Sequence, residues 1–345
     1  MSVRLWNRAA RRLTSAVRRR AIILLYHRVA ELETDPWSLA VTPRHFAEQM
    51  EVLRRGYRPI GLRQLAAALG TGAIPRRTVV VTFDDGYADN LHNAQPLLAR
   101  HAIPATAFLT TSALGSEREY WWDELDRLLL QPGRLPGELR LSVGGRDHRW
   151  ALGQAAEYGE AEARRQRGWL AGQPAPGPRQ ALYRALWELL HPLASAEREQ
   201  ALGQLRAWAG RAPVGRPSHR TLTVDEARAL GLSGLVEIGA HTVTHPSLAA
   251  LGPDEQRAEI GESKACLETL LDRPVTSFAY PYGRRHDYDE ATLAIVRAAG
   301  FDCACANWSG AAGRSSDIYQ LPRSYVHDWD GATFERRLAE WFSRP

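Results

Sequence analysis

Residues 79–86 read Val79-Val80-Val81-Thr82-Phe83-Asp84-Asp85-Gly86, a β-branched and aromatic run followed directly by two carboxylates and a glycine. Such a run predicts a buried β-strand. Folds built from alternating strands and helices place their chemistry at the C-terminal ends of parallel strands. Asp84 and Asp85 are therefore predicted to lie at the functional edge of an α/β sheet.

A second motif, His241-Thr242-Val243-Thr244-His245, supplies two imidazoles four residues apart. On a helical turn such residues point to the same side, so we expect both rings to reach one ion. Two adjacent buried carboxylates repel each other unless a cation compensates their charge. Either motif alone is equally consistent with a turn or a helix start. Together they predict a divalent-metal site with open coordination positions and a neighbouring carboxylate base.

A third motif follows at residues 278–283, Phe-Ala-Tyr-Pro-Tyr-Gly. In this order the three motifs resemble those of the polysaccharide deacetylase family, carbohydrate esterase family 4 with its NodB homology domain. The resemblance covers residues 20–112 and 221–342. It implies a distorted (β/α) barrel and a metal-dependent removal of acyl groups from amino sugars.

The resemblance also implies a role for each motif residue. It assigns Asp84 as the base that activates water for attack on an acetamide carbonyl, and a backbone N–H near Tyr282 as the oxyanion donor. Tyr280 and Tyr282 are the substrate-side residues of the third motif. A two-histidine, one-aspartate set accepts Zn²⁺, Co²⁺, Ni²⁺ or Mn²⁺, and Zn²⁺ is the ion we expect. The implied metal ligands are Asp85, His241 and His245.

The chain departs from the family pattern in two places. Ala279 stands where the third motif begins with an arginine that orients the base, and Arg323 is our replacement candidate, although it could equally form a surface ion pair. The late Leu-x-His motif, which supplies a general acid, is Tyr-Val-His at residues 325–327. His327 is the preferred general acid because imidazole titrates near neutral pH. His27 is its rival, since a similar Tyr-His follows the first strand in family members acting on poly-N-acetylglucosamine.

Strand and helix patterns alternate before residue 115 and after about residue 220, as expected for the barrel. We predict a basic N-terminal helix at 1–20, the barrel at 21–114 and 220–345, and a mostly helical insertion at 115–219. Insertions at the catalytic face of a barrel commonly carry specificity. Trp121 and Trp122 are the expected exposed pair for stacking on a sugar ring, although such tryptophans are more often core residues.

The composition limits where the protein acts and what it binds. Basic residues outnumber acidic ones by 44 to 39, which gives a net charge of only +5. The three cysteines are too few for a disulfide framework and favour a reducing compartment. We expect a cytoplasmic protein without a secretory signal and without nucleic-acid binding. Arginines near the N-terminus form a solvated helix or contact anionic lipid at the inner membrane surface: Arg4, Arg8, Arg11, Arg12, Arg18, Arg19 and Arg20.

The leading hypothesis is a metal-dependent N-deacetylase in surface polysaccharide synthesis. Its substrate is an N-acetylhexosamine-containing glycan or a lipid-linked sugar precursor. A deformylase and an O-acetyl esterase are alternatives on the same fold, and a degenerate carbohydrate-binding member is a non-enzymatic one. A glycosidase fits poorly, because adjacent carboxylates such as Asp84 and Asp85 diverge and cannot flank a glycosidic oxygen.

Overall fold

The computed structural model describes residues 19–343, so most of the predicted N-terminal helix lies outside the described residues. We number the strands β1 to β14 in chain order: Ala21–Tyr26, Arg28–Val29, Ala40–Val41, Arg58–Pro59, Thr78–Phe83, Ala105–Leu109, Gly133–Arg134, Glu138–Val143, Arg146–Ala151, Glu157–Tyr158, Val236–Ala240, Ser277–Ala279, Cys303–Cys305 and Ser324–Tyr325. The α-helices α1 to α11 are Pro43–Gly56, Leu62–Thr71, Gln95–His101, Trp121–Leu129, Glu160–Gln166, Pro178–Leu190, Ser195–Ala209, Val224–Leu232, Pro253–Leu271, Glu290–Ala298 and Gly331–Ser343.

The central sheet is parallel and strongly curved. Its strands follow the order β13-β12-β11-β6-β5-β1-β14, with β4 paired to β5. A parallel bridge between Cys305, at the end of β13, and Leu321, just before β14, links the two ends of the sheet. The strands thus form an incompletely closed barrel surrounded by helices, which confirms the predicted distorted (β/α) barrel.

The predicted strand at residues 79–83 is the centre of this sheet. Strand β5 covers Thr78–Phe83, is buried along its whole length and lies between β1 and β6. Continuous burial explains its unbroken β-branched sequence, because helices or the barrel interior cover both faces of a parallel sheet. Since neighbouring strands run parallel, the segments that follow β1, β5, β11 and β12 all emerge at one edge.

Helix α1 illustrates how the sequence sets element boundaries. Thr42 precedes the helix and accepts a hydrogen bond from the His45 N–H, which satisfies one free donor of the first turn. Phe46, Met50 and Leu53 lie on one face and are fully buried against the barrel. No helix within residues 19–343 is long and apolar enough to cross a membrane.

A second hydrophobic core lies in the segment between β6 and β11. It is built from helices α4, α6 and α7 together with the antiparallel hairpin β8–β9. The hairpin was not predicted, although Leu139, Leu141 and Val143 alternate with polar residues before a Gly-Gly pair. That alternation and turn are the usual signal for a hairpin. The exact boundaries of the insertion, 115–219, stay a prediction.

Candidate active site

The C-terminal ends of the parallel strands meet in a pocket of about 130 Å³. Its lining includes seven of the residues proposed from the sequence: His27, Asp84, Asp85, Trp122, His241, His245 and Tyr282. Residues that follow five different strands of the sheet therefore converge on one volume. That convergence follows from the parallel topology, which brings every strand's C-terminal end to the same edge.

Asp85, His241 and His245 form a compact set of potential metal ligands. Asp85 Oδ1 lies 3.5 Å from His241 Nε2 and 3.3 Å from His245 Nε2, and all three donor atoms lie within 4.8 Å of one another. Donors held by a tetrahedral ion with bonds of roughly 2.1 Å stand about 3.4 Å apart. Two of the donor separations match this value, so the buried donor set suits a divalent cation such as Zn²⁺.

His241 is oriented by Ala279, the residue that stands where the third motif usually has an arginine. Its Nδ1 donates to the Ala279 carbonyl oxygen at 2.7 Å, because a carbonyl can only accept. The lone pair of Nε2 is thereby directed toward Asp85, as a metal-ligating histidine requires. Burial lowers the pKa of His245 to about 4, so its ring is neutral near pH 7 and available as a ligand. Burial alone would raise the pKa of Asp85, but its contacts with both histidines hold it well below the usual range.

The segment 241–245 is not the helical turn that the histidine spacing suggested. Thr242 and His245 have positive φ angles of 64° and 58°, which a right-handed helix cannot contain. Glu259 in α9 fixes the loop instead, accepting hydrogen bonds from the N–H groups of Val243 and Thr244, both at 2.8 Å. The two rings still reach one ion because the loop folds around this carboxylate. No local sequence pattern identifies Glu259, which lies in the following helix.

The turn after β5 explains the Asp-Asp-Gly sequence. Asp85 has a φ of 74° and Gly86 has the same value. The positive φ favours glycine here, and a Cβ on Gly86 would stand 2.8 Å from Leu109 Cδ2, so the end of that side chain would have to move. Non-glycine residues in this region of conformational space are strained and cluster at functional sites. Here the strain directs the Asp85 carboxylate toward the two histidines.

Asp84 is paired with Arg323 at the bottom of the pocket. Arg323 Nη1 and Nη2 donate to Asp84 Oδ1 and Oδ2 at 2.6 and 2.7 Å, and both side chains are buried. Burial raises the pKa of Asp84, but the Arg323 guanidinium outweighs it and leaves that pKa below the ordinary value. Arg323 immediately precedes β14, which pairs with β1 next to β5. The arginine that the third motif lacks is thus supplied from another strand.

Replacing Arg323 should shift the pH dependence of any reaction in which Asp84 is the base. In Arg323→Met the pKa of Asp84 rises, since burial remains and the pairing cation is lost. A base works only when ionised, so the acidic limb of the kcat/KM profile should move to higher pH. Breaking a buried ion pair also costs about 3–5 kcal/mol of folding free energy. Arg297→Met, which removes a surface pair with Asp317, is the matched control; an unshifted acidic limb in Arg323→Met would contradict this role.

The structure favours the position of His27 over that of His327, the preferred general acid. His327 is not among the pocket-lining residues, and its Nδ1 lies 2.9 Å from Ser38 Oγ. His27 does line the pocket, and its buried Nδ1 has no hydrogen-bond partner among residues 19–343. The Tyr325 ring lies between these two histidines, with centroids 5.3 Å from His27 and 5.0 Å from His327. At the end of β14 it is Tyr325, not His327, that lines the pocket, so the geometry favours His27.

Two expectations about the aromatic residues also require correction. Tyr280 is a core residue: its hydroxyl donates to the Tyr319 carbonyl oxygen at 2.9 Å and its ring stacks on Tyr288. Trp121 and Trp122 are buried in the second core and offer no exposed sugar platform. Helix α4, on which they lie, packs with this face against α6 and α7, which the sequence alone could not indicate.

These tryptophans nevertheless shape the site. Trp122 lines the pocket with its ring centroid 4.9 Å from that of His245. Trp121 Nε1 donates to the Tyr282 hydroxyl at 3.1 Å, and the Tyr282 ring lies 4.6 Å from His245. The insertion therefore forms one wall of the pocket and supports a metal-ligand candidate.

Tyr282 presents its backbone as well as its ring to the site. Its φ is 57°, and Asn307 Nδ2 donates to its carbonyl oxygen at 3.0 Å. In the hydrogen-bonding pattern of the described chain, its N–H has no acceptor. A free N–H in a fixed turn beside a metal-ligand set is what an oxyanion donor requires.

Sequence reasoning did not assign the outer wall of the pocket. Trp37, Leu39, Trp187, Arg284 and Asn307 line it as well. Trp37 comes from the loop between β2 and β3, whereas Trp187 comes from α6 in the insertion, and their ring centroids lie 4.4 Å apart. Only long-range packing joins these two segments, so no spacing in the sequence predicts the pair.

The chain was compared with known proteins. The profile of the family described as polysaccharide deacetylase matches residues 71–133 and 207–304. A Bacillus subtilis protein named "Putative polysaccharide deacetylase YxkH" is 21% identical over 306 residues, which are 88% of this chain and 70% of that protein. The poly-β-1,6-N-acetyl-D-glucosamine N-deacetylase of Staphylococcus epidermidis is 32% identical over 109 residues, or 28% of this chain and 38% of that protein.

Solved structures show the same fold. The Streptococcus pyogenes deacetylase PplD, solved in complex with acetate, aligns with a TM-score of 0.58 at 18% identity and covers 95% of this chain and 100% of that chain. The profile match spans both the Asp84-Asp85 motif and the His241–His245 motif, which the fold brings together. The chain belongs to the polysaccharide deacetylase family.

Proposed function

We propose that this protein is a divalent-metal-dependent N-deacetylase that acts on an N-acetylhexosamine-containing glycan. One observation carries the proposal: an ionised, arginine-paired carboxylate, Asp84, stands beside a three-donor metal-ligand set. A purely structural ion site has no use for an adjacent base. A hydrolase needs both groups within reach of the same water.

The residues divide the reaction between them. When bound, the metal would polarise the substrate carbonyl and lower the pKa of a water. Asp84 would accept a proton from the attacking water while Arg323 keeps its carboxylate in place. The Tyr282 N–H would stabilise the oxyanion. His27 would deliver a proton to the leaving amine.

The aromatic wall supports a sugar substrate. The partly buried Trp37 and Trp187 line the pocket together with Tyr282, and aromatic faces suit the apolar face of a pyranose ring. The Staphylococcus epidermidis relative acts, by its name, on poly-β-1,6-N-acetyl-D-glucosamine. By the same reasoning we propose an N-acetylglucosamine-type sugar, either in a glycan or on a lipid-linked precursor of a surface polysaccharide.

The proposal also includes the identity of the metal ion and the cellular location. The nitrogen- and oxygen-donor set supports Zn²⁺, with Co²⁺, Ni²⁺ and Mn²⁺ as alternatives. Cytoplasmic location is supported by three cysteines that are all unpaired. Contact with the inner membrane surface is supported by the arginine-rich start of the sequence.

A panel of acyl sugars tests the reaction class. The metal-loaded protein should release acetate from N-acetylglucosamine oligomers faster than formate from their N-formyl analogues or acetate from O-acetylated glucosamine. Faster release from either analogue would replace the N-deacetylase with a deformylase or an esterase on the same site. Tight oligomer binding without release from any substrate would favour a carbohydrate-binding role.

A pair of histidine variants tests the assignment of the general acid. His27→Asn should lower kcat by about 10²- to 10⁴-fold, the usual contribution of a positioned acid or base. His327→Asn should leave kcat nearly unchanged, since His327 bonds to Ser38 outside the pocket. Steady-state kinetics on one oligomer measures both effects. The reverse ranking of the two variants would restore His327 as the acid.

A further inference from the structure

A second cleft, of about 180 Å³, lies next to the catalytic pocket at the same edge of the barrel. On the barrel side it is lined by residues that follow β6 and β11, including Ser112 and Thr244. On the insertion side it is lined by the start of α7, with Ser195 and Arg198. The catalytic assignment uses none of these four residues.

One arginine that lines this cleft takes part in none of the ion pairs around it. Its lining carboxylates, Glu119, Glu124 and Glu199, are each paired with two or more arginines. The arginines that make these pairs, one of which also holds Asp126, are Arg118, Arg127, Arg206 and Arg216. Arg198 also lines the cleft but takes part in none of these ion pairs.

Arg198 has an unusual environment for an arginine. Arg198 is only 3% exposed, yet no ion pair found within residues 19–343 includes it. Its Nη2 donates to the Leu193 carbonyl oxygen at 2.6 Å, its Nε has no partner, and its guanidinium stands 5.3 Å from the Trp121 ring centroid. Buried charges are normally paired, because desolvating one alone is costly. An anion bound in the cleft would provide the missing partner.

The first turn of α7 adds further donors. This helix has 15 residues, and Ala194 before it provides no side-chain cap. Its first N–H groups are therefore free of intrahelical partners and carry the positive end of the helix dipole. Ser195 adds a hydroxyl at the same cleft. Backbone N–H groups, a hydroxyl and a guanidinium converging from different directions suit a tetrahedral phosphate better than a planar carboxylate.

The cleft and the catalytic pocket share a wall. Trp121 lines the cleft below Arg198 and donates through Nε1 to the hydroxyl of Tyr282, which lines the pocket. Thr244, in the cleft, is followed directly by His245, in the pocket. One indole ring thus separates the unpaired guanidinium from the proposed oxyanion residue.

We propose that this cleft is a phosphate subsite, so that the substrate is a sugar carrying a phosphate group near the N-acetyl group that is removed. The proposal rests on the N-deacetylase function but concerns only what the substrate carries. Arg198 and the N-terminus of α7 bind the phosphate, while the adjacent pocket holds the acetamide. A neutral glycan leaves the cleft unused and is a poorer substrate.

Two titrations and one kinetic comparison test the subsite. Inorganic phosphate is titrated calorimetrically into the Zn²⁺-loaded wild type and Arg198→Gln, so that phosphate binding at the metal is common to both proteins. Arg198→Gln should weaken the cleft's phosphate binding by about 10- to 100-fold, the effect of a lost charge-assisted hydrogen bond. In the same variant kcat/KM should fall by a similar factor on an N-acetylglucosamine trimer bearing a reducing-end phosphate. On the unphosphorylated trimer, Arg198→Gln should have the same kcat/KM as the wild type.

Three further proteins complete the test. Arg184→Gln is the matched control, because Arg184 lies on α6 and donates to the Gln173 carbonyl oxygen. It should leave kcat/KM unchanged on both trimers. Arg198→Lys keeps the positive charge and should recover part of the preference for the phosphorylated trimer over the unphosphorylated one. A carboxylate at the first position of α7 stabilises the helix but repels phosphate, so Ser195→Asp should fold and bind phosphate more weakly than the wild type. This variant tests the subsite if Arg198→Gln fails to fold.

The outcomes separate this proposal from the function on which it rests. Equal phosphate binding and equal substrate preference in the wild type and Arg198→Gln would overturn the subsite while leaving the deacetylase intact. If no trimer is deacetylated at all, the proposed function fails. The phosphate titration, which needs no turnover, then still decides whether the cleft binds an anion.

Discussion

Asp84→Asn should lower the kcat for acetate release by about 10²- to 10⁴-fold while leaving the divalent metal bound. Asparagine keeps the shape of the side chain but cannot accept a proton from water. The ligand set, Asp85 with His241 and His245, does not include Asp84 and remains intact. This variant should therefore lose kcat while keeping the metal content of the wild type. Steady-state kinetics and metal analysis of the same preparation measure the two quantities.

The variant also leaves Arg323 buried opposite a neutral group, so its folding must be checked. A circular dichroism spectrum at the assay temperature and a thermal melt serve this purpose. Asp317→Asn, which neutralises a surface partner of Arg297, is the matched control and should retain full activity. Activity near that of the wild type in Asp84→Asn would exclude Asp84 as the base.

His241→Ala should abolish both metal binding and turnover. The substitution removes one of three donors and also the hydrogen bond to the Ala279 carbonyl oxygen. Losing a residue that merely supports a ligand typically costs 10- to 100-fold in metal affinity. Losing a ligand should therefore cost more than about 100-fold. A competitive Zn²⁺ titration with a chromophoric chelator measures the affinity, and acetate release measures the activity.

The comparison with Asp84→Asn makes this prediction specific. His241→Ala should lose the metal and the rate together, whereas Asp84→Asn should lose only the rate. His101→Ala, at the end of α3 and outside both cavities, is the histidine control. Stoichiometric Zn²⁺ in His241→Ala would remove His241 from the ligand set.

The sequence predicted those parts of the site that depend on local patterns. The buried run before Asp84 located β5, and parallel topology then brought the Asp-Asp motif and the histidines to one edge. The β-branched composition and the position after a strand are local properties, so they can be identified without a structure. The motif order added the family, which the profile match now supports.

Other parts depend on contacts between distant segments. The histidine loop is held by Glu259 rather than by helical hydrogen bonds, and the Trp37–Trp187 wall joins a barrel loop to the insertion. The choice between His27 and His327 required knowing which of the two side chains lines the pocket. No periodicity or spacing encodes such contacts, because tertiary packing creates them.

The central claim is that the metal-ligand set and Asp84 together remove N-acetyl groups. Acetate release from N-acetylglucosamine oligomers tests it most directly, measured on metal-stripped protein, on protein reloaded with Zn²⁺ or Co²⁺, and on reloaded Asp84→Asn. We predict release only by the reloaded wild-type protein. Equal release by metal-stripped protein, or by reloaded Asp84→Asn, would contradict the account.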